Sequence, residues 1–149
     1  MKSTIKLSSI AIPPGGMHLI IKVKINNKSA RLVLDTGASQ TVLDINRIDQ
    51  FTKQKKFEKQ NGHSSGIGGT SLESHLFKVD SFQIGDFELE NRNLILLDMV
   101  HVNDSYKMIN KKPVDGVLGG DFLKIFKAQI DYGKKIIILN KERKRKNKK

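Results

Sequence analysis

Residues 32–40 read Leu-Val-Leu-Asp-Thr-Gly-Ala-Ser-Gln, and this stretch decides how the chain is understood. Three apolar residues, Leu32 to Leu34, run straight into the carboxylate of Asp35. Two readings compete. In the first, Asp35 only opens a turn, because Asp side chains readily bond the backbone two residues on. In the second, it is an acid presented at the tip of a strand. Gly37 lets the chain turn without a Cβ clash, the Thr36 hydroxyl can lock the loop, and Ala38 and Ser39 leave the carboxylate unobstructed. A lone Asp-Thr-Gly is a weak signal, and such chemistry needs a second carboxylate that the adjoining sequence does not offer.

Composition bounds the answer. The chain has 149 residues, enough for one domain with a real core and too few for two ordinary ones. It is 38% hydrophobic and 28% charged, the balance of a globular protein. No apolar run approaches about 18 residues, so no membrane-spanning helix is expected. The opening stretch MKSTIKLSSIAIPPGG is interrupted by Lys6 and followed by no small-residue cleavage site, so a signal peptide is not expected. With no cysteine there are no disulfides and no thiolate zinc sites. That composition suits a reducing compartment, and a cytoplasmic location is the expectation.

The net charge of +12 is unevenly placed. The last nine residues, KERKRKNKK, hold seven Lys or Arg and one Glu, and no apolar residue. Residues 141–149 are therefore read as a basic disordered tail, which either solubilises the chain or makes a weak polyanion contact. No aromatic residue interleaves with these charges, so a base-stacking site is not suggested.

Between the ends the pattern has the period of β-strands. Leu19, Ile21, Val23 and Ile25 alternate with Ile20, Lys22 and Lys24. INNKS supplies a turn, ARLVL the next strand, and TVLDINRIDQF the start of a short helix. HSSGIGGTS, residues 63–71, reads as a glycine-rich hairpin tip. HLFKVDSFQIGDFELENRNLILLDM reads as two or three strands around Gly85-Asp86. VDGVLGGDFLKIF passes from strand into a short helix at Gly119-Gly120, and AQIDYGKKIIIL is a last hairpin turning at Gly133. The expected fold class is all-β with one or two short helices, spanning residues 17–140, with residues 1–16 as an N-terminal extension.

The segments LDTGAS, SGIGGT and VDGVLGGDFL occur in that order. Together they resemble the retropepsin-like aspartic proteases, the single-domain relatives of the retroviral proteases. The resemblance covers nearly all of residues 17–140. It implies a single-domain acid protease barrel with a flap hairpin. Asp35, Thr36 and Gly37 match the family's catalytic Asp-Thr-Gly, and Gly66, Ile67, Gly68 and Gly69 match its flap tip. Val117-Leu118-Gly119 matches its apolar-apolar-Gly segment. Asp121 falls where the family carries Asp or Asn, and the resemblance makes it structural, bonding backbone at the start of the last helix.

The family also accounts for the missing carboxylate. Two identical chains pair about a two-fold axis, and each contributes one Asp35, so a homodimer acting on a peptide or protein substrate is implied. No metal and no cofactor are implied. Thr36 would cross-link the two active loops, and Ile67 would contact substrate. Ala38 follows the Asp-Thr-Gly where cellular relatives often have Ser or Thr, so no hydroxyl there favours the charged form of the acid pair. The termini also depart from the retroviral pattern, in which short terminal strands dimerise, because here the tail repels itself.

Other chemistries find no support. His18, His63, His75 and His101 never reach metal-ligand spacing, GIGGTS lacks the Gly-Lys-Ser/Thr of a phosphate loop, and no serine elbow is present. Asp44, Asp98 and Asp104 lie in no motif and default to surface or turn roles. The leading function is thus an aspartic endopeptidase. The alternatives are a catalytically silent binding module of the same fold and an unrelated β-barrel binding protein.

Overall fold

A computed structural model of the chain describes residues 1–60 and 73–142. It is an all-β molecule with a 3-10 helix and two short α-helices. The strands are β1 (Lys2–Lys6), β2 (Ser8–Ile12), β3 (Gly16–Ile25), β4 (Lys28–Leu34), β5 (Val42–Asp44), β6 (Glu58–Lys59), β7 (His75–Ile84), β8 (Phe87–Leu97), β9 (Gly116–Leu118), β10 (Gln129–Asp131) and β11 (Ile136–Asn140). The 3-10 helix spans Ile45–Gln50, and the α-helices are α1 (Val100–Met108) and α2 (Gly120–Ile125).

Eight strands form one sheet in the order β2-β3-β4-β9-β5-β8-β7-β6. A further pairing of β3 with β7, Lys24 opposite Gln83 and Ile25 opposite Phe82, closes six of them into a barrel. The barrel interior holds Leu19, Ile21, Val23 and Ile25 from β3, Phe77, Val79, Phe82 and Ile84 from β7, and Leu94 and Leu96 from β8. On β3 every second residue points inward, while β7 shifts phase by one residue between Val79 and Phe82, where Asp80 has no partner in the ladder with β8; this burial is the main driving force for closure.

A short strand inserted between two others positions the candidate site. β9 pairs in parallel with β4, Leu32 opposite Gly116 and Leu34 opposite Leu118. On its other side β9 pairs antiparallel with β5, Val42 opposite Val117. The segment after β4 must therefore loop over the end of β9 before returning as β5. That loop is residues 35–41. Gly116 is needed where β9 and β5 meet, because a Cβ there would overlap the Val42 carbonyl oxygen.

Residues 1–16, an extension in the sequence reading, form β1, β2 and the turn into β3. β1 pairs antiparallel with β11, Lys2 opposite Asn140 through Lys6 opposite Ile136. β2 pairs with the first half of β3. Serines hide the alternation here, since Ser3 is buried and its hydroxyl both donates to Asp86 Oδ2 and accepts from Asp86 N, each at 3.1 Å. β1, β11 and β10 form a separate three-stranded sheet within one chain, with β10 at its edge.

Helix α1 was not foreseen, and it explains one departure from the alternating pattern of β3. Ile20 is buried rather than outward, in a second apolar cluster with Ile10, Met99, Tyr106 and Val114. Tyr106 of α1 and Met99 just before it thus cover the outer face of the sheet. β6 pairs antiparallel with β7, Glu58 opposite Leu76 and Lys59 opposite His75. Gly66, Ile67, Gly68 and Gly69 lie outside the described residues, as do residues 143–149 of the basic tail.

Candidate active site

The loop over β9 is built from backbone hydrogen bonds, which is why its side chains are small. Asp35 N donates to Leu118 O at 3.1 Å, so the acid is anchored where β4 leaves β9. Gly37 N donates to Asp35 Oδ1 at 2.9 Å and Ala38 N to Asp35 O at 3.2 Å. Asp35 therefore does make the turn contact that the bland reading expected. One carboxylate oxygen takes the Gly37 N–H, and the side chain as a whole remains exposed. Turn residue and presented acid are one and the same.

The far side of the loop is tied to α2. Gly120 N donates to Ala38 O at 2.6 Å. Thr41 is 1% exposed, and its hydroxyl sits at the junction. It donates to Asp121 Oδ1 at 2.7 Å and accepts from Gly119 N at 3.0 Å. Asp121 Oδ2 accepts from Thr41 N at 3.0 Å, and Oδ1 also accepts from Phe122 N at 2.8 Å. Asp121 thus holds the loop to the first turn of α2 and does not line the groove described below. Gly119 is forced by this closeness: a Cβ would stand 2.7 Å from Gln40 O and 2.8 Å from Ala38 O. Thr41 was not singled out from the sequence. Its only signal there is a threonine following the Asp-Thr-Gly loop and opening a β-branched, apolar strand.

Asp35 and Thr36 open onto a groove of 350 Å3 whose lining is polar and apolar in nearly equal measure, the apolar side chains being Met17, Leu19, Val33, Leu34, Val102, Val117 and Ile130. His18, Tyr106 and Tyr132 add polar side chains to it. Among the described residues that line it, Asp35 is the sole carboxylate. Asp115, which directly precedes Gly116 of β9, is 5% exposed and fully occupied elsewhere. It accepts from Arg31 N at 2.9 Å, Arg47 Nε at 2.8 Å and Gln50 Nε2 at 2.9 Å.

Asp44, assigned to a surface or turn role from sequence, is 2% exposed and organises α1. Its carboxylate accepts from Asn46 N at 3.0 Å, Met99 N at 3.2 Å and Asn103 Nδ2 at 3.0 Å. Asn103 in turn bonds both the N–H and the carbonyl of Val114. Asp98 and Asp104 are exposed. The Val100 N–H and the Asn46 amide hold the Asp98 carboxyl below its ordinary range. Among the described residues no three His, Asp or Glu side chains group to hold a metal ion. His18 Nδ1 lies 2.8 Å from the Tyr106 hydroxyl, whose ionisation burial pushes above its ordinary value.

Residues 21–122 match the family described as aspartyl protease. The chain belongs to that family. Within it the barrel is retropepsin-like, as two solved structures show. A retropepsin-like aspartic protease from Rickettsia conorii aligns with a TM-score of 0.58 at 19% identity, covering 95% of this chain and 90% of that one. The EIAV protease, complexed with the inhibitor HBY-793, aligns with a TM-score of 0.57 at 19% identity, covering 82% of this chain and 99% of its own. No curated protein matches by sequence. In this member of the aspartyl protease family the Asp-Thr-Gly loop, the inserted strand β9 and α2 form one hydrogen-bonded unit.

Proposed function

We propose that the protein is an aspartic endopeptidase whose active site is completed by a second copy of the chain, each subunit giving one Asp35. The observation that carries this reading is the exposed Asp35 beside a groove with no second carboxylate among its described lining. Family membership supplies the reaction class. A closed two-fold pair brings identical loops together without any new sequence.

The chemistry follows from the pairing. Two carboxylates in contact do not both ionise, so they share one proton. The charged member takes a proton from a bound water while the neutral member donates one to the scissile carbonyl oxygen. The new hydroxyl adds to the carbonyl carbon, giving a tetrahedral diol. The amide nitrogen then takes a proton from the dyad as the C–N bond breaks, and a carboxyl end and an amine end separate. No covalent enzyme intermediate forms. Thr36 stands beside Asp35, where it can bond the partner loop. The glycines of Gly66-Ile67-Gly68-Gly69 suit a flap that closes on an extended peptide and holds it by β-type hydrogen bonds.

The test is hydrolysis of a denatured protein or a peptide pool by wild type and Asp35→Asn. The substitution is nearly isosteric and removes like-charge repulsion, so folding and pairing are expected to survive. Hydrolysis is expected to fall by at least about a hundredfold, the usual contribution of a positioned acid-base group. Activity within a few-fold of wild type would refute the assignment.

A further inference from the structure

Further along β3 and β4 from the Asp35 groove, the outer face of the barrel is basic. Val23, Ile25, Ala30 and Leu32 belong to the core, so the residues alternating with them, Lys22, Lys24, Ser29 and Arg31, point outward. Lys22 stands directly opposite Arg31, and Lys24 stands between Ser29 of β4 and Gln83 of β7. Like charges set opposite one another destabilise a sheet. Arg31 adds to the crowding. Its guanidinium donates to Pro113 O at 2.8 Å, which brings the segment carrying the exposed Lys111 and Lys112 beside the same strip.

The described residues leave these charges unneutralised. None of Lys22, Lys24, Arg31, Lys111 and Lys112 has a carboxylate oxygen of a described residue within 4.0 Å. Asp115 accepts from the Arg31 N–H, but its charge is paired with Arg47 at 2.8 Å. Glu88, opposite Gln83 in β8, accepts from the Ser81 hydroxyl at 2.9 Å. Beside the β3–β7 seam lies a cavity of 200 Å3, lined by Lys22, Val23, Lys24, Ser29, Gln83 and Gly85. Two ammonium groups, a hydroxyl and an amide thus border one concavity.

The chemistry of the strip selects its partner. Lys, Arg, Ser and Gln are side chains that bond phosphate oxygens. No large apolar side chain of β3 or β4 is exposed. The core of a protein–protein interface, by contrast, is apolar and depleted of lysine, and a lasting hold on a bilayer draws on buried apolar groups as well as charge. The strip also has no aromatic residue on which unpaired bases could stack. Same-face side chains of a strand stand about 7 Å apart, so Lys22 and Lys24 each reach a separate phosphate.

We propose that this strip is a docking surface for the phosphate backbone of duplex nucleic acid, bound without base readout, with the cavity between Lys22 and Lys24 seating one phosphate. The bound anion relieves the repulsion between Lys22 and Arg31. The surface is independent of the endopeptidase reading, since none of its residues lines the Asp35 groove.

The test titrates the full chain against short dye-labelled duplexes of DNA and of RNA, read by fluorescence anisotropy between about 50 and 200 mM salt. The double variant Lys22→Gln/Lys24→Gln is expected to bind about tenfold more weakly and to lower the slope of log affinity against log salt by about two. The same change of charge at exposed positions outside the strip, Lys78→Gln/Lys124→Gln, is expected to leave affinity within about twofold of wild type. Lysine acetylation of the wild-type chain needs no variant: bound duplex is expected to protect Lys22 and Lys24 and to leave Lys78 and Lys124 reactive. Equal weakening in the two double variants, or Lys22 and Lys24 that stay reactive, overturns the inference. So does binding to poly-glutamate or to vesicles rich in anionic lipid that is tighter than binding to either duplex.

Discussion

Replacing Thr41 by Val tests the unit that holds Asp35 in place. The substitution keeps the shape and the β-branch and removes one hydroxyl. That hydroxyl, 1% exposed, donates to Asp121 and accepts from Gly119 N. Its loss leaves a buried backbone N–H without an acceptor, which costs about 1–3 kcal/mol, and removes a bond to a carboxylate worth about 1.5–3 kcal/mol. The two losses overlap because they share one group, so a total of about 2–4 kcal/mol is expected. For a chain of this size each 1 kcal/mol moves the melting temperature by about 2–4 °C, giving a fall of about 5–15 °C. Thr41→Ser is the control. It keeps both hydrogen bonds and loses one methyl, about 1 kcal/mol. The assay is thermal unfolding by circular dichroism at one fixed protein concentration, because pairing of chains would couple stability to concentration. Turnover is measured alongside, and a loosened loop is expected to lower it by about tenfold or more. A Thr41→Val protein melting within about 2 °C of wild type, or a Ser variant as unstable as the Val variant, would refute the idea that this hydroxyl ties the acid loop to α2.

Two further outcomes follow from the same structure. Burial raises the Tyr106 ionisation above its ordinary value of 10.0, so the folded state holds that proton more tightly than the unfolded state. The stabilisation is fully present below pH about 10 and lost as pH rises from there through the raised folded value; urea unfolding between pH 8 and 11 is expected to show a steeper loss for wild type than for Tyr106→Phe, and parallel curves would contradict this. Deleting residues 143–149, six of which are Lys or Arg, is expected to leave hydrolysis of an uncharged peptide intact and to weaken salt-sensitive binding to a polyanion column, since exposed charge acts through screened contacts; loss of folding on this deletion would show that the tail is structural.

The barrel was legible because strands with one buried face write a period of two into the sequence, as β3 does and as each half of β7 does on either side of Asp80. The acid loop was legible because few residue types permit a strand to end in an exposed carboxylate and a backbone-bonded turn. Helix α1 was not, since Val-His-Val-Asn-Asp-Ser are poor helix formers with no apolar stripe. Its stability comes from elsewhere: Asp98 receives Val100 N at 3.0 Å, Asp44 receives Met99 N and Asn103, and Tyr106 fills the second cluster. Asp44 was misread for the same reason. Its local bond, from Asn46 N, is the one any Asp in a surface turn would make, while the partners that bury it, Met99 and Asn103, lie 55 and 59 residues away and leave no local signature. Residues 1–16 were set aside because their strands place serines where apolar residues would mark the pattern, and the buried Ser3 finds its hydrogen-bond partner in Asp86, 83 positions on.

The central claim is that the acid pair is shared between chains, and subunit mixing tests it most directly. Wild type and Asp35→Asn protein are combined in equal amounts under conditions where exchange of subunits is shown independently, for example by energy transfer between labelled chains. Random pairing leaves about one quarter of all dimers wild type, so activity per wild-type chain is expected to fall to about half of its unmixed value. A ninefold excess of mutant is expected to lower it to about one tenth. Activity per wild-type chain that stays constant through both mixtures would contradict the account, because it would place the second catalytic group within the same chain as Asp35.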